Sequence, residues 1–175
     1  MIKQINKFLT TSVCILSLSS TVVLAHGDKI SHHLSLKNAT QLSANYVTGG
    51  QPSVKDLQEL ASHGNKVVIN LRGEGEFEGF DEKNVVDSLG MTYVSIPVSG
   101  AGDVNFENVA KFHEVLSKSS DKTLVHCASG NRVGAFFALE AFKYGGKSAE
   151  EALEIGRAAG LTRLEGKVKA LMAEN

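Results

Sequence analysis

Thr123-Leu124-Val125-His126-Cys127-Ala128-Ser129-Gly130-Asn131-Arg132-Val133-Gly134-Ala135-Phe136-Phe137 is the stretch on which the reading of the fold turns. Residues 123–126 form a short run of strand type. From Arg132 onward, Val133, Phe136, Phe137, Ala141 and Phe142 supply the wide apolar surface of a helix reaching Tyr144. A strand that runs straight into a cysteine, turns at a glycine and re-emerges as a helix is half of a βα unit.

The same alternation extends outward on both sides. Upstream, Lys66 to Leu71 (KVVINL) reads as a buried strand that delivers Arg72 at its end, and Met91 to Val98 as another. Ser53, with Asp56 three positions on, opens a helix whose Val54, Leu57, Leu60 and Ala61 share one face, and Gly64 and Asn65 close it. A second helix ends near Leu89, and a third carries Phe106, Val109, Phe112 and Leu116. Downstream, helices are expected over residues 148–159 and 162–172, the last with Thr162 and Glu165 as a capping box. The expected fold class is therefore α/β, a mainly parallel sheet flanked by helices. One domain over residues 45–175 follows a polar lead-in at 26–44, and no internal repeat is visible.

The turn between strand and helix carries the chemistry. At a helix N-terminus, backbone N–H groups converge and the helix dipole adds partial positive charge, so the segment Ala128, Ser129, Gly130, Asn131 and Val133 forms a candidate cradle for a tetrahedral oxyanion. Arg132 completes it, because a guanidinium can fork two donors onto two oxygens. The same field favours the thiolate, the nucleophilic form of a cysteine, which makes Cys127 the candidate nucleophile. His126 is expected to point into the sheet and support the loop. Asp103, on a Gly-rich loop after a strand, is the first candidate for a general acid. Glu76, Glu78 and Asp81 in the acidic loop RGEGEFEGFDE compete with it. Arg72 is expected to organise the site by pairing with carboxylates.

These residues resemble a known family, the cysteine-based tyrosine and dual-specificity phosphatases. The similarity is greatest to a bacterial phosphatase-like branch associated with beta-lactamase-hydrolase-like proteins. Thr48-Gly49-Gly50-Gln51-Pro52, Val67-Val68-Ile69-Asn70-Leu71-Arg72, Tyr93-Val94-Ser95-Ile96-Pro97-Val98 and His126-Cys127 through Arg132 carry the likeness, in that order, across residues 45–171. The resemblance implies a dual-specificity-phosphatase-like fold, attack by Cys127 on phosphorus, a cysteinyl-phosphate intermediate and no cofactor or metal. Its implied partner is a phosphorylated small molecule or protein. The sequence departs from the family at two points. Four residues, not five, separate Cys127 from Arg132, and Val133 stands where a Ser or Thr hydroxyl is usual. The shorter loop also resembles that of rhodanese-type sulfurtransferases, which leaves a persulfide carrier, or a silent anion-binding module, as alternatives.

Of the 175 residues 42% are hydrophobic and 21% charged, with a formal net charge of −1, so no long-range field would draw in nucleic acid or an anionic membrane. Lys3 and Lys7 precede a Ser/Thr-diluted apolar stretch that ends in Val23-Leu24-Ala25, the pattern of a signal peptide cut after Ala25. A periplasmic or secreted domain without stable membrane insertion is the expectation. Cys14 falls in that segment, so cleavage would leave Cys127 as the single thiol. His26, His32 and His33 read as a solvated tail rather than metal ligands.

Overall fold

The computed structural model describes residues 29–118 and 120–175; the signal segment expected at 1–25 lies outside them. Five strands form one sheet: β1 (Thr40–Gln41), β2 (Tyr46–Gly49), β3 (Asn65–Arg72), β4 (Thr92–Val98) and β5 (Lys122–His126). They lie in the order β1-β2-β5-β3-β4. All neighbours run parallel except β1, which pairs antiparallel with β2 at the edge. The sheet is thus mixed, with a parallel body.

Strand parity sorts the side chains into two layers. Ile69, Leu71 and Val125 face a cluster built on α3 (Phe106–Lys118) and α4 (Asn131–Lys143), where Phe112 stacks edge-on against Phe136 and Phe137. Val68 and Leu124 face the other way, against Leu57 and Leu60 of α1 (Val54–Ser62) and Val86 of α2 (Glu82–Ser88). α5 (Ala149–Ala158) and α6 (Glu165–Ala173) complete the α4 layer, and among the described residues no helix is long and apolar enough to cross a membrane.

The Ser53–Asp56 capping box opens α1 as its spacing predicts. Asp56 also accepts from the backbone and hydroxyl of Ser35, at 2.6 and 2.7 Å. With Leu36 buried in the α1 layer and β1 added to the sheet, the lead-in is packed onto the domain from about residue 30. The box expected at Thr162 and Glu165 does not form. α6 begins at Glu165 without a side-chain cap, and Glu165 instead pairs with Arg157 and Lys169. Thr162 donates to Asn131, a tertiary partner 31 residues away that local spacing cannot reveal.

Because β2, β5, β3 and β4 are parallel, their C-terminal ends share one edge, and open parallel sheets gather their sites there. Gly49, Cys127, Arg72 and Ser99 all arrive at this edge.

Candidate active site

Cys127 follows β5 directly, and its backbone N–H donates to the Gly49 carbonyl at 3.3 Å, continuing the pairing with β2. Gly50 and Ser129 form an isolated bridge one step further on. Glycine is required at position 50, since a Cβ would lie 2.9 Å from the Ala128 carbonyl oxygen. The loop then turns at Gly130, whose φ of 89° belongs to the left-handed region, and enters α4 at Asn131. That turn aims the Gly130 N–H at the Cys127 sulfur, 3.1 Å away. Asn38 of the lead-in braces the outer side by donating to the Ser129 carbonyl at 2.9 Å.

Arg132 sits one residue inside α4. Its Nη1 donates to the Val98 carbonyl at 2.6 Å and, at 3.4 Å, to the Leu71 carbonyl, tying the helix to the ends of β4 and β3. Nη1 and Nη2 together grip both oxygens of Glu76, a bidentate pair. This contact holds the Glu76 carboxyl below its usual range, and both Glu76 and the Cys127 sulfur favour the charged guanidinium. Glu76, weighed from sequence as a rival acid, is in the structure the partner of the arginine.

Val133 turns its side chain into the core, so only its backbone can face the cradle. Asn131 lends its side chain to the turn before α6, where Oδ1 accepts from Thr162 N and Oγ1 at 2.8 and 3.0 Å and from Leu164 N at 3.4 Å. Asp103 accepts from Ser99 N and Gly100 N through Oδ2, at 2.8 and 3.1 Å, capping its own turn; Oδ1 accepts nothing among the described residues. Asp81 caps α2, accepting from Asn84 N at 3.0 Å.

His126 and Arg72 share a buried polar layer on the α1–α2 side. His126 is fully enclosed, its Nε2 2.8 Å from Glu82 Oε1 without hydrogen-bond alignment. Glu82 is 6% exposed, so this part of the acidic segment is not a solvated face. Asn70 joins Glu82 and Tyr93, donating to the Tyr93 hydroxyl at 2.8 Å. Arg72 donates to Gln51 and lies over the Phe77 ring at 4.4 Å, and burial lowers its pKa from the usual arginine value. Arg72 does not pair with Glu76, which Arg132 holds.

Above the loop opens a cleft of about 560 Å³, walled by residues 73–76, by Ser99, Gly100 and Ala101, and by Asn131, Arg132, Arg163 and Leu164. Cys127 is 1% exposed, and neither it nor Asp103 is among the lining residues. Sequence reading missed Arg163 and the pairing role of Glu76. Both depend on which loops the strand order brings together, and neither has a local motif. The arrangement can hold an oxyanion between backbone amides and a guanidinium, above a sulfur that receives an N–H.

Comparison with known proteins follows the same lines. A family model described as DSP-PTPase phosphatase fused to NAD+ kinase matches residues 22–164. A beta-lactamase hydrolase-like protein from Agrobacterium fabrum is 29% identical over 105 residues, which is 58% of this chain and 24% of that protein, so the chain spans about a quarter of that relative. A solved DUF442 protein from Shewanella putrefaciens is 26% identical, covering 79% of this chain and 88% of its own, with a TM-score of 0.63. TpbA from P. aeruginosa, solved with phosphotyrosine, shares the fold at 18% identity, covering 77% and 82% of the two chains with a TM-score of 0.62.

Proposed function

We propose, for a chain that belongs to the DSP-PTPase phosphatase family described as fused to NAD+ kinase, an exported phosphomonoester hydrolase that works through Cys127 and needs no cofactor. Membership makes it a cysteine-based phosphatase. The observation that carries the residue assignment is the Gly130 N–H aimed at the Cys127 sulfur at 3.1 Å, in the turn that leads into α4 and Arg132.

In the proposed reaction the Cys127 thiolate attacks phosphorus as the ester P–O bond breaks, giving cysteinyl phosphate. Arg132 and the loop amides hold the equatorial oxygens, whose charge they are placed to match. The leaving oxygen takes a proton from Asp103, whose free Oδ1 belongs to the loop that walls the cleft. Water then attacks phosphorus, the S–P bond breaks, the thiolate returns, and the water proton passes to the Asp103 carboxylate. Glu76 is a poor donor by comparison, because the Arg132 fork keeps it ionised. Export rests on the basic, apolar and small-residue pattern of residues 1–25.

Incubation with an aryl phosphate tests the reading. Phosphate release that disappears in Cys127→Ser, with phosphorus trapped on Cys127 in the wild type, is the expected result. Thiocyanate formation from thiosulfate and cyanide without phosphate release would overturn it in favour of sulfur transfer. Asp103→Asn should slow alkyl esters more than aryl esters with good leaving groups. Equal slowing of both would remove Asp103 as the donor. Export is checked by fractionating cells that express the full chain and sequencing the mature N-terminus, which is expected at His26.

A further inference from the structure

The cleft lined by Arg132 has an uneven distribution of charge. Arg132 is neutralised by Glu76 across a bidentate contact, whereas Arg163, exposed in the lining of the same cleft, makes no ion pair or hydrogen bond among the described residues. Its position is nevertheless fixed by the catalytic loop. The residues on either side of it, Thr162 and Leu164, both donate backbone N–H groups to Asn131 Oδ1, at 2.8 and 3.4 Å. The turn that leads to Arg163 also packs directly on that loop, since a Cβ at Gly160 would lie 3.0 Å from the Gly130 carbonyl oxygen. Among the described residues no aromatic side chain lines the cleft, so none of them is placed to stack on a substrate ring.

We infer that Arg163 is a specificity-determining residue that binds a second oxyanion, a phosphate or carboxylate, on the phosphomonoester cleaved at Cys127. This rests on the phosphatase reading above and adds the substrate class. A charged side chain held by its backbone, without an internal partner, can take a substrate oxyanion without first breaking a contact of its own. The carboxylates in the lining, Glu74 and the Arg132-bound Glu76, disfavour an anion placed beside them, which leaves Arg163 as the lining cation that can take it.

The test measures phosphate release by the full chain from alkyl monophosphates, from diol bisphosphates and from carboxyalkyl phosphates, each with two to six carbons. At one chain length or more, the doubly anionic compound should have a kcat/KM about tenfold above its monophosphate, the size of one charge-assisted contact. The gain should lie in KM. In Arg163→Gln the ratio should fall to about one, and Arg163→Lys should restore part of it. Whichever series shows the gain tells whether phosphate or carboxylate is read. Release from every compound with no preference, or a preference that survives Arg163→Gln, overturns this inference and leaves the phosphatase reading intact. No release from any compound, an aryl phosphate included, overturns both.

Discussion

At Arg132 the guanidinium is divided between two tasks. Its Nη1–Nη2 end is taken by Glu76 and the Val98 carbonyl, and the Cys127 sulfur favours the charged form of the same group. Arg132→Lys keeps the charge and loses the fork, so kcat/KM toward an aryl phosphate should drop by about a hundredfold or more. Glu76→Gln keeps the shape and loses the charge. Because the pair is partly solvated, its effect should be smaller, about fivefold to tenfold in kcat/KM, and Glu76→Asp should recover little because the carboxylate no longer reaches. A rise in activity in Glu76→Gln would show that the carboxylate blocks the arginine rather than positions it. Gly130→Ala forces a side chain into φ of 89°, at a cost of about 1–2 kcal/mol by denaturant titration, and turns away the N–H that meets the sulfur.

The elements around α4 explain why this loop keeps its shape. α4 and α5 approach closely at Gly134 and Gly156. A Cβ at Gly134 would lie 2.0 Å from the Leu161 nitrogen and 2.5 Å from the Gly156 carbonyl oxygen, both backbone atoms that cannot swing aside. Gly134→Ala should therefore destabilise the fold by about 1–3 kcal/mol or more and weaken activity by pushing the Arg163 turn off the loop; an unchanged melting temperature would contradict the packing described. The turn is held at its far end by Glu165, whose carboxyl the Arg157 and Lys169 contacts depress from 4.5 to about 2. A carboxylate with a lowered folded pKa stabilises the folded state above its unfolded value and loses that contribution as pH falls through the folded one. The Arg157–Glu165 contact should thus be at full strength above about pH 4.5 and disappear near pH 2, read from the carbon-13 shift of the Glu165 carboxyl. A midpoint near 4.5 would show that the pair does not form in solution.

For the molecule as a whole, most elements were legible because their causes are local. The Ser53–Asp56 box, the helical spacing of Val109 and Phe112, and the apolar run of β3 each lie within a few residues of the structure they produce. The strand–Cys–Gly–helix order placed the turn between β5 and α4 for the same reason. The sequence itself determined that Cys127 would sit at a helix N-terminus close to Arg132 in the chain, since the periods of strand and helix meet at that turn. Only the tertiary structure decided what surrounds it. Glu76 meets Arg132 across 56 residues, Glu82 lies beside His126, and Thr162 abandons its local cap for Asn131. Each pairing depends on strand order and on which loop ends share an edge. Chain entropy permits many such closures, and the sheet selects one by burying both of its faces at once.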